Sequence, residues 1–224
     1  MSKSPIICTV DAPLFTLVDG RLHVALLRRD HEPKLGHFAL PGAFIDPARD
    51  SDARAAAYRM LLEKTGIEVP YLEQLETFTG ATRDSRGWSI SVAYYALVSA
   101  DVLLRHVGDK VELRDVDDPR ILPFDHSQIV DAGVARLRTK SVYSSLPCYL
   151  AGETFTIPQL HRIYMQVIGA DVDIVTFRRK MTAMEILEPV GGAKEEGKRH
   201  RPGQLYRLKP EVSGQLALLS KGML

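Results

Sequence analysis

Cysteine is scarce in this sequence of 224 residues, and long hydrophobic stretches are absent. The two cysteines, Cys8 and Cys148, lie far apart and in no CxxC pair, which argues against a zinc site or a disulfide scaffold and suits a reducing cytoplasm. No apolar run approaches the roughly 20 residues of a membrane helix, and the first residues lack the apolar stretch and cleavage site of a signal peptide. We therefore expect a cytoplasmic protein that has no membrane partner.

The formal net charge of +1 hides an uneven distribution along the chain. Residues 141–224 carry 11 Lys/Arg against 8 Asp/Glu, whereas the preceding residues carry 18 against 20. The basic excess is densest in residues 194–209, where six Lys/Arg face two Glu. Because the local field attracts a polyanion, the nearly neutral total does not exclude binding to nucleic acid.

The pattern of apolar and turn residues changes near residue 140. Before it we expect strands over residues 6–17, 22–29 and 89–98, a helix over residues 50–65 and a helix from about residue 125 to 138. After it we expect short helices near residues 142–150, 158–168 and 174–186, followed by a glycine-rich charged stretch and a short strand. This change predicts two domains, residues 1–140 and residues 141–224.

Residues 40–67, LPGAFIDPARDSDARAAAYRMLLEKTGI, resemble the motif of the Nudix superfamily. That motif has a glycine, a glutamate and then Arg-Glu-apolar-x-Glu-Glu-x-Gly-apolar on a helix. The end of the motif aligns well, but Gly42 lies three residues too far upstream. The retained motif residues are Arg59, Glu63 and Gly66, and the three glutamate positions that differ hold Ser51, Met60 and Lys64.

The differences remove most of the acidic ligands of the Nudix motif. Nudix hydrolysis uses Mg²⁺, which needs several hard carboxylate oxygens, and Glu63 supplies only one such side chain. Met60 offers a soft thioether and Lys64 a positive charge. We therefore expect no metal, no cofactor and no hydrolase activity, with Arg59 and Glu63 forming a helical i,i+4 ion pair. The alternative is a hydrolase of ADP-ribose or another nucleoside diphosphate derivative, with carboxylates supplied from elsewhere.

A cavity that once held a nucleotide diphosphate can still bind one without cleaving it. Arginines suit phosphate groups, the LPGAF loop can present backbone N–H groups, and a tryptophan suits a base or ribose. Each of these residues also has a purely structural reading, as a charge at a strand end or a packing side chain. The predicted effector-binding residues are Arg28, Arg29, Gly42, Ala43, Phe44, Arg83, Arg86 and Trp88.

A more specific resemblance covers nearly the whole chain. The segments YLEQLETFTGATRDSRGW, LPFDH and TFRRKM occur in the order typical of NrtR-like regulators, a family of Nudix-related transcription factors. The resemblance implies an α+β fold in which a Nudix-type mixed-sheet α/β/α sandwich precedes a C-terminal winged helix-turn-helix domain. It also implies a homodimeric repressor of NAD or related cofactor metabolism that senses ADP-ribose or a similar nucleotide.

The C-terminal part predicts a helix-turn-helix without help from the family. Thr156 and Asp173 are good N-caps for two successive helices separated by a short turn after Gly169. On the second helix we expect Ile174, Phe177, Met181 and Met184 to face the core. The opposite face then carries Val175, Thr176, Arg179 and Ala183, with Arg178 and Lys180 beside it.

A helix with this small and basic outer face is suited to the major groove of DNA. Arg179 is placed to contact base edges, Thr176 a base or phosphate, and Arg178 and Lys180 phosphates. The tip of the following hairpin adds four predicted contacts, Lys198, Arg199, His200 and Arg201. The simpler reading is a solvated helix face and a charged loop, and a winged helix can also bind structured RNA. The favoured hypothesis is a regulator of double-stranded DNA.

Overall fold

The computed structural model describes residues 5–106, 108, 111–118, 121–194 and 203–224. The predicted hairpin-tip residues Lys198, Arg199, His200 and Arg201 lie outside these ranges. The first eight strands are β1 (Ile7–Asp11), β2 (Leu14–Val18), β3 (Arg21–Arg28), β4 (Phe38–Ala39), β5 (Gly42–Phe44), β6 (Tyr71–Gly80), β7 (Ser89–Leu97) and β8 (Val111–Asp115). The helices among and after them are α1 (Ala53–Thr65), α2 (Ala100–Leu104) and α3 (His126–Ser141).

The eight strands form one mixed sheet. The order is β4-β3-β2-β7-β1-β5, with β6 also paired to β7 and β8 to β3. Strands β1 and β2 both run parallel to β7, but β1 pairs on its other side with β5 and β2 with β3. The prediction of a single strand over residues 6–17 was therefore wrong. The strand is interrupted at Ala12 and Pro13, where the proline has no N–H for a ladder bond.

Helices cover both faces of this sheet and give the expected α/β/α sandwich. Helix α1 buries an apolar stripe that includes Ala56, Met60 and Leu61 against one face. Helix α3 buries Ile129 and Leu137 against the other face. Gly66 ends α1 in the left-handed region (φ +70°), and its N–H bonds to the carbonyl of Leu62 at 2.8 Å, as the sequence predicted.

The rest of the chain forms a helix-turn-helix followed by a hairpin. Its elements are a 3₁₀ helix (Leu146–Leu150), α4 (Ile157–Ile168), α5 (Ile174–Ala183), β9 (Leu187–Lys194), β10 (Gln204–Leu208) and a second 3₁₀ helix (Pro210–Val212). Thr156 caps α4 through a capping box with Gln159, and Asp173 caps α5 by accepting the Thr176 N–H at 2.8 Å. Strands β9 and β10 pair antiparallel.

One prediction about the inner face of α5 needs correction. Phe177 and Met181 are fully buried and Met184 is partly buried, as predicted. Ile174 is 37% exposed, although it was predicted to face the core. As the first residue of α5, Ile174 lies at one edge of the apolar stripe, where the preceding turn leaves it partly open to solvent.

The final residues pack back against the junction between the two parts. Met223 is buried, and its N–H bonds to the carbonyl of Val142 at 2.5 Å. The carbonyl of Gly222 accepts a hydrogen bond from the ammonium of Lys180 on α5. The boundary between residues 140 and 141 stays a prediction. Of the helices in the described ranges, none combines the length and the apolar character needed to cross a membrane.

Candidate functional site

A cleft of about 220 Å³ opens where β1 ends beside β5, at the interruption between β1 and β2. Its walls combine cationic, acidic and aromatic side chains, which suits an anionic ligand that carries a ring. The lining residues are Thr9, Asp11, Arg29, His31, Leu40, Gly42, Ala43, Phe44, Lys64, Arg83, Asp84, Arg86, Phe124 and His126.

The structure brings six of the eight predicted effector residues to this cleft: Arg29, Gly42, Ala43, Phe44, Arg83 and Arg86. Arg28 and Trp88 do not line it. The exposed side chain of Arg28 donates to the carbonyl of Gly36 at 3.4 Å, and Trp88 is 45% exposed. Both Arg28 and Arg29 were predicted at this site, but neighbouring residues of an extended chain point to opposite sides, and only Arg29 lines the cleft. Ligand contact by all eight residues remains a prediction.

The LPGAF segment forms the edge strand β5 instead of an open loop. The ladder bonds from Ala12 N–H to Pro41 O and from Ile45 N–H to Cys8 O flank this strand. Because hydrogen-bonded pairs alternate in an antiparallel ladder, the N–H groups of Gly42 and Phe44 point away from β1. Two of the three backbone donors that the sequence suggested are therefore directed away from the ladder.

The floor of the cleft is built around the buried carboxylate of Asp11. The hydroxyl of Ser91 donates to it at 2.5 Å, and the guanidinium of Arg83 lies 3.7 Å away. Gly42 is required beside this carboxylate, because a Cβ at Gly42 would lie 2.0 Å from Asp11 Oδ1. Sequence reasoning missed Asp11, which reads as an ordinary residue at the end of an apolar strand.

His126 connects the floor to the start of α3. Its Nδ1 accepts the Leu40 N–H at 3.0 Å, so in the neutral ring Nε2 carries the proton and faces Asp11 Oδ1 at 3.5 Å. Complete burial of the imidazole lowers the pKa of His126. The neutral ring of His126, on α3, therefore connects that helix to Leu40 before β5 and to Asp11 at the end of β1. The Phe124-Asp125-His126 motif was the signal that could have identified it.

Arg83 and Asp125 form a buried bidentate ion pair. Arg83 Nε and Nη2 each lie 2.8 Å from an oxygen of Asp125, and Arg83 Nη1 also donates to Ser89 Oγ at 3.2 Å. Asp125 occupies the N-cap position of α3, but its carboxylate makes no side-chain cap bond to that helix. Its charge instead links the cleft wall to the first turn of the helix.

Two further arginines lie against aromatic rings in the cleft. Arg86 is 5.0 Å from the centre of the Phe44 ring and pairs with Asp84 at 2.7 Å. Arg29 is 5.1 Å from the centre of the Phe124 ring, and its Nε donates to the carbonyl of Pro33 at 2.7 Å. Arg29 Nη2 is buried with no hydrogen-bond partner among the described residues. Burial and, after it, the charge of Arg86 lower the pKa of Arg29. This nitrogen is an unused donor for an anion.

The retained motif residues Arg59 and Glu63 of α1 form ion pairs with each other and with nearby side chains. Arg59 binds Asp50 through two bonds of 2.6 and 2.7 Å, and it reaches Glu63 at 3.2 Å, which is the predicted i,i+4 pair. Arg49 binds the other carboxylate oxygen of Glu63. Hydrogen bonding to Arg59 lowers the pKa of Asp50 to about 2. Sequence reasoning missed Arg49 and Asp50 as members of this cluster.

These residues do not fit a magnesium ion. Both oxygens of Glu63 are held by arginines, and Met60 is fully buried in the core instead of facing the cleft. The ammonium of Lys64 lines the cleft, where desolvation and then the charge of Arg29 lower its pKa. Within the described ranges, no group of three or more His, Cys, Asp or Glu side chains is placed to hold a metal ion.

The predicted DNA-contacting residues of α5 differ in their freedom. Arg178 and Arg179 are exposed, and Thr176 is half-buried. Lys180 is also half-buried, and its ammonium is engaged by the carbonyl of Gly222. Lys180 is thus placed to anchor α5 against the C-terminal segment, whereas Arg178 and Arg179 are exposed to solvent. DNA contact by these residues stays a prediction.

The fold and the cleft define a Nudix-type domain joined to a winged helix. Residues 147–208 match the family model described as the NrtR DNA-binding winged helix domain. The ADPR responsive transcriptional repressor NtrR of Acinetobacter baylyi is 37% identical over 203 residues, which cover 89% of this chain and 80% of the relative. The chain belongs to the NrtR family of Nudix-related transcriptional regulators, which confirms the family and the fold predicted from the sequence.

Two solved structures of NrtR from Shewanella oneidensis are similar to this chain. NrtR complexed with a 27mer DNA aligns with a TM-score of 0.88 and 35% identity over 97% of this chain and 99% of that one. The NUDIX domain of the same protein complexed with ADP ribose aligns with a TM-score of 0.55 and 38% identity over 60% of this chain and 90% of that one.

Proposed function

We propose that this protein is a transcriptional repressor that binds operator DNA through α5 and senses ADP-ribose or a similar nucleotide in the cleft. The observation that carries the proposal is the alignment of 97% of the chain with an NrtR protein bound to DNA. The outer side of α5 supports it, because exposed Arg178 and Arg179 lie on a helix that its caps and core hold in place. Residues Thr176, Lys198, Arg199, His200 and Arg201 are the further predicted DNA contacts.

The chemistry of the cleft fits a nucleotide diphosphate. Arg29, Lys64 and Arg86 supply positive charge for phosphates, and Phe44 and Phe124 supply ring faces for a base. The alignment with an NrtR NUDIX domain complexed with ADP ribose supports the same ligand class. Lys64 therefore joins the predicted effector residues.

We propose further that the cleft does not catalyse the metal-dependent hydrolysis of a nucleotide. The carboxylate of Glu63 is neutralised by two arginines and Lys64 brings a further cation, so a divalent metal would meet repulsion at this helix. The domain then binds a nucleotide without hydrolysing it. Incubation of ADP-ribose with the protein and excess Mg²⁺ or Mn²⁺ tests this part. Turnover that Glu63→Gln abolishes would establish the alternative, a hydrolase.

The route from the cleft to the DNA follows α3 in this proposal. Asp125 and His126 place the first turn of α3 against the cleft, and the helix ends at Ser141, where the C-terminal part begins. A ligand that changes the Arg83–Asp125 pair would move α3 and thereby the spacing of two winged helices in a homodimer. A two-fold dimer matches a symmetric operator. The expected target genes are those of NAD or related cofactor metabolism, in the cytoplasm.

Selection of bound sequences from random DNA, with and without ADP-ribose, tests the proposal. We expect a two-fold symmetric sequence to be enriched and ADP-ribose to change the amount of DNA retained. The variant Arg86→Ala should keep the same selected sequence and lose the response to ADP-ribose. No enrichment of any duplex at low salt, where phosphate contacts are strongest, would refute DNA binding. Preferential retention of structured RNA in competition would favour an RNA-binding protein.

A further inference from the structure

The outer side of α5 carries an apolar side chain that the function described so far does not use. Val175, the second residue of α5, is 72% exposed. It belongs to none of the hydrophobic clusters that the described residues form. Valine is also a weak helix former, because its branched Cβ restricts the side chain against the preceding turn. Neither core packing nor helix propensity accounts for valine at this position.

The geometry of the helix places Val175 beside Arg179. Residues four apart on an α-helix lie within about 40° of each other around the axis. Buried Phe177 and Met181 define the inner side of α5, and Val175 and Arg179 lie on the opposite side. Arg178 flanks them and is also exposed. The outer side therefore combines one branched aliphatic group with two guanidinium groups.

The rotation of α5 about its own axis is fixed from several directions. Asp173 caps the first turn, and Lys180 binds the carbonyl of Gly222 on the side of the C-terminal segment. The Phe177 ring packs against the rings of His161 and Tyr164, with centroids 5.0 and 5.1 Å apart. Because the helix cannot turn without breaking these contacts, Val175 is held outward.

We propose that Val175 reads the methyl group of a thymine in the major groove, next to the base that Arg179 contacts. This inference rests on the proposed function. The N-terminal residues of a recognition helix contact base edges, and thymine is the one base that presents a methyl group in the major groove. The exposed arginines beside Val175 attract the phosphates of DNA. They therefore favour DNA over an apolar protein partner as the molecule that binds this surface.

Uracil substitution isolates the methyl group. A duplex obtained by selection from random DNA is prepared with each thymine of one half-site replaced singly by deoxyuridine, which lacks only the methyl. The full-length protein should bind about fourfold more weakly when one particular thymine is replaced, the loss expected from one buried carbon group. Val175→Ala should bind the thymine duplex several-fold more weakly than the wild type does. Its affinities for the thymine and uracil duplexes should be nearly equal, so that their ratio is near one. Leu104→Ala, which alters an equally aliphatic and 50% exposed side chain on α2, should keep the wild-type ratio.

Several results would overturn the inference, and they differ from failure of the proposed function. Wild-type protein that binds the duplex but tolerates uracil at every position would refute it. A selected half-site without thymine, or equal uracil sensitivity in wild type and Val175→Ala, would do the same. A changed oligomeric state of Val175→Ala with unchanged uracil sensitivity would assign the side chain to a protein contact. Absence of any duplex binding would remove the proposed function itself, and the inference with it.

Discussion

Replacement of Arg83 by glutamine should destabilise the protein far more than the same replacement on the surface. The Arg83 side chain is only 7% exposed and its partner Asp125 12%, and the two are joined by two bonds of 2.8 Å. Glutamine would leave the carboxylates of Asp125 and Asp11 without their shared cation. Breaking one partner of a buried pair costs about 3–5 kcal/mol, because a buried charge is left uncompensated.

Arg138→Gln provides the matched control. Arg138 pairs with Asp117 at 3.0 Å, but the two side chains are 44% and 63% exposed. Exposed pairs contribute about 0.2–1 kcal/mol and weaken with salt. Urea unfolding of both variants measures the free energy of unfolding. With a slope of about 2–3 kcal/mol per molar urea, Arg83→Gln should lower the midpoint by roughly 1 M or more and Arg138→Gln by a few tenths.

A second variant separates the lost ion pair from lost packing. Adding Asp125→Asn to Arg83→Gln removes the uncompensated carboxylate and lets two amides hydrogen-bond. The double variant should therefore be more stable than Arg83→Gln alone. Equal urea midpoints for Arg83→Gln and Arg138→Gln would refute the reasoning. So would a double variant whose loss of stability equals the sum of the losses measured for Arg83→Gln and Asp125→Asn separately.

Three further predictions concern the cleft and α5. Gly42→Ala should cost about 1–3 kcal/mol of stability by overpacking against Asp11, measured by urea unfolding. Gly191→Ala should cost less, because a Cβ added there meets no atom of the described residues within 4 Å. Burial lowers the pKa of His126 in the folded state, so the unfolded chain binds the extra proton. Stability should therefore fall as the pH drops below the ordinary histidine value of 6.5, and His126→Gln should flatten that slope in urea unfolding at stepped pH values. Arg179→Ala should weaken binding to the selected DNA by about 1–3 kcal/mol and relax specificity at one base position in a repeated selection, and equal losses on all sequences would contradict a base contact.

Local signals predicted the helices well. Gly66 marks the end of α1, and the caps Thr156 and Asp173 mark the starts of α4 and α5, because each uses a hydrogen bond that forms within a few residues. The interruption between β1 and β2 was missed although Pro13, which lacks an N–H, signals it. The edge strand β5 was missed because its pairing with β1, distant in sequence, decides it. The partial exposure of Ile174 depends on the turn before α5, which periodicity does not describe.

The cleft was predicted only in part for the same reason. Arg29, Arg83 and Arg86 stand out in the sequence because arginines near a Nudix-like motif suggest phosphate binding. Asp11 and His126 become part of the site only when β1 and α3 meet, and each reads locally as a strand or helix residue. Lys64 occupies a former glutamate position, so its place at the cleft wall was within reach of the motif comparison.

The match to the winged-helix family model stops at residue 208, yet buried contacts continue to Met223. A protein shortened at that limit would lose the carbonyl that anchors Lys180 and the buried side chain of Met223, which belongs to the same apolar cluster as Phe177 and Met181. Such a fragment would keep every residue expected to touch DNA while presenting them from a loosened helix. Weak DNA binding by an isolated winged-helix domain would then reflect the missing support from residues 209–224.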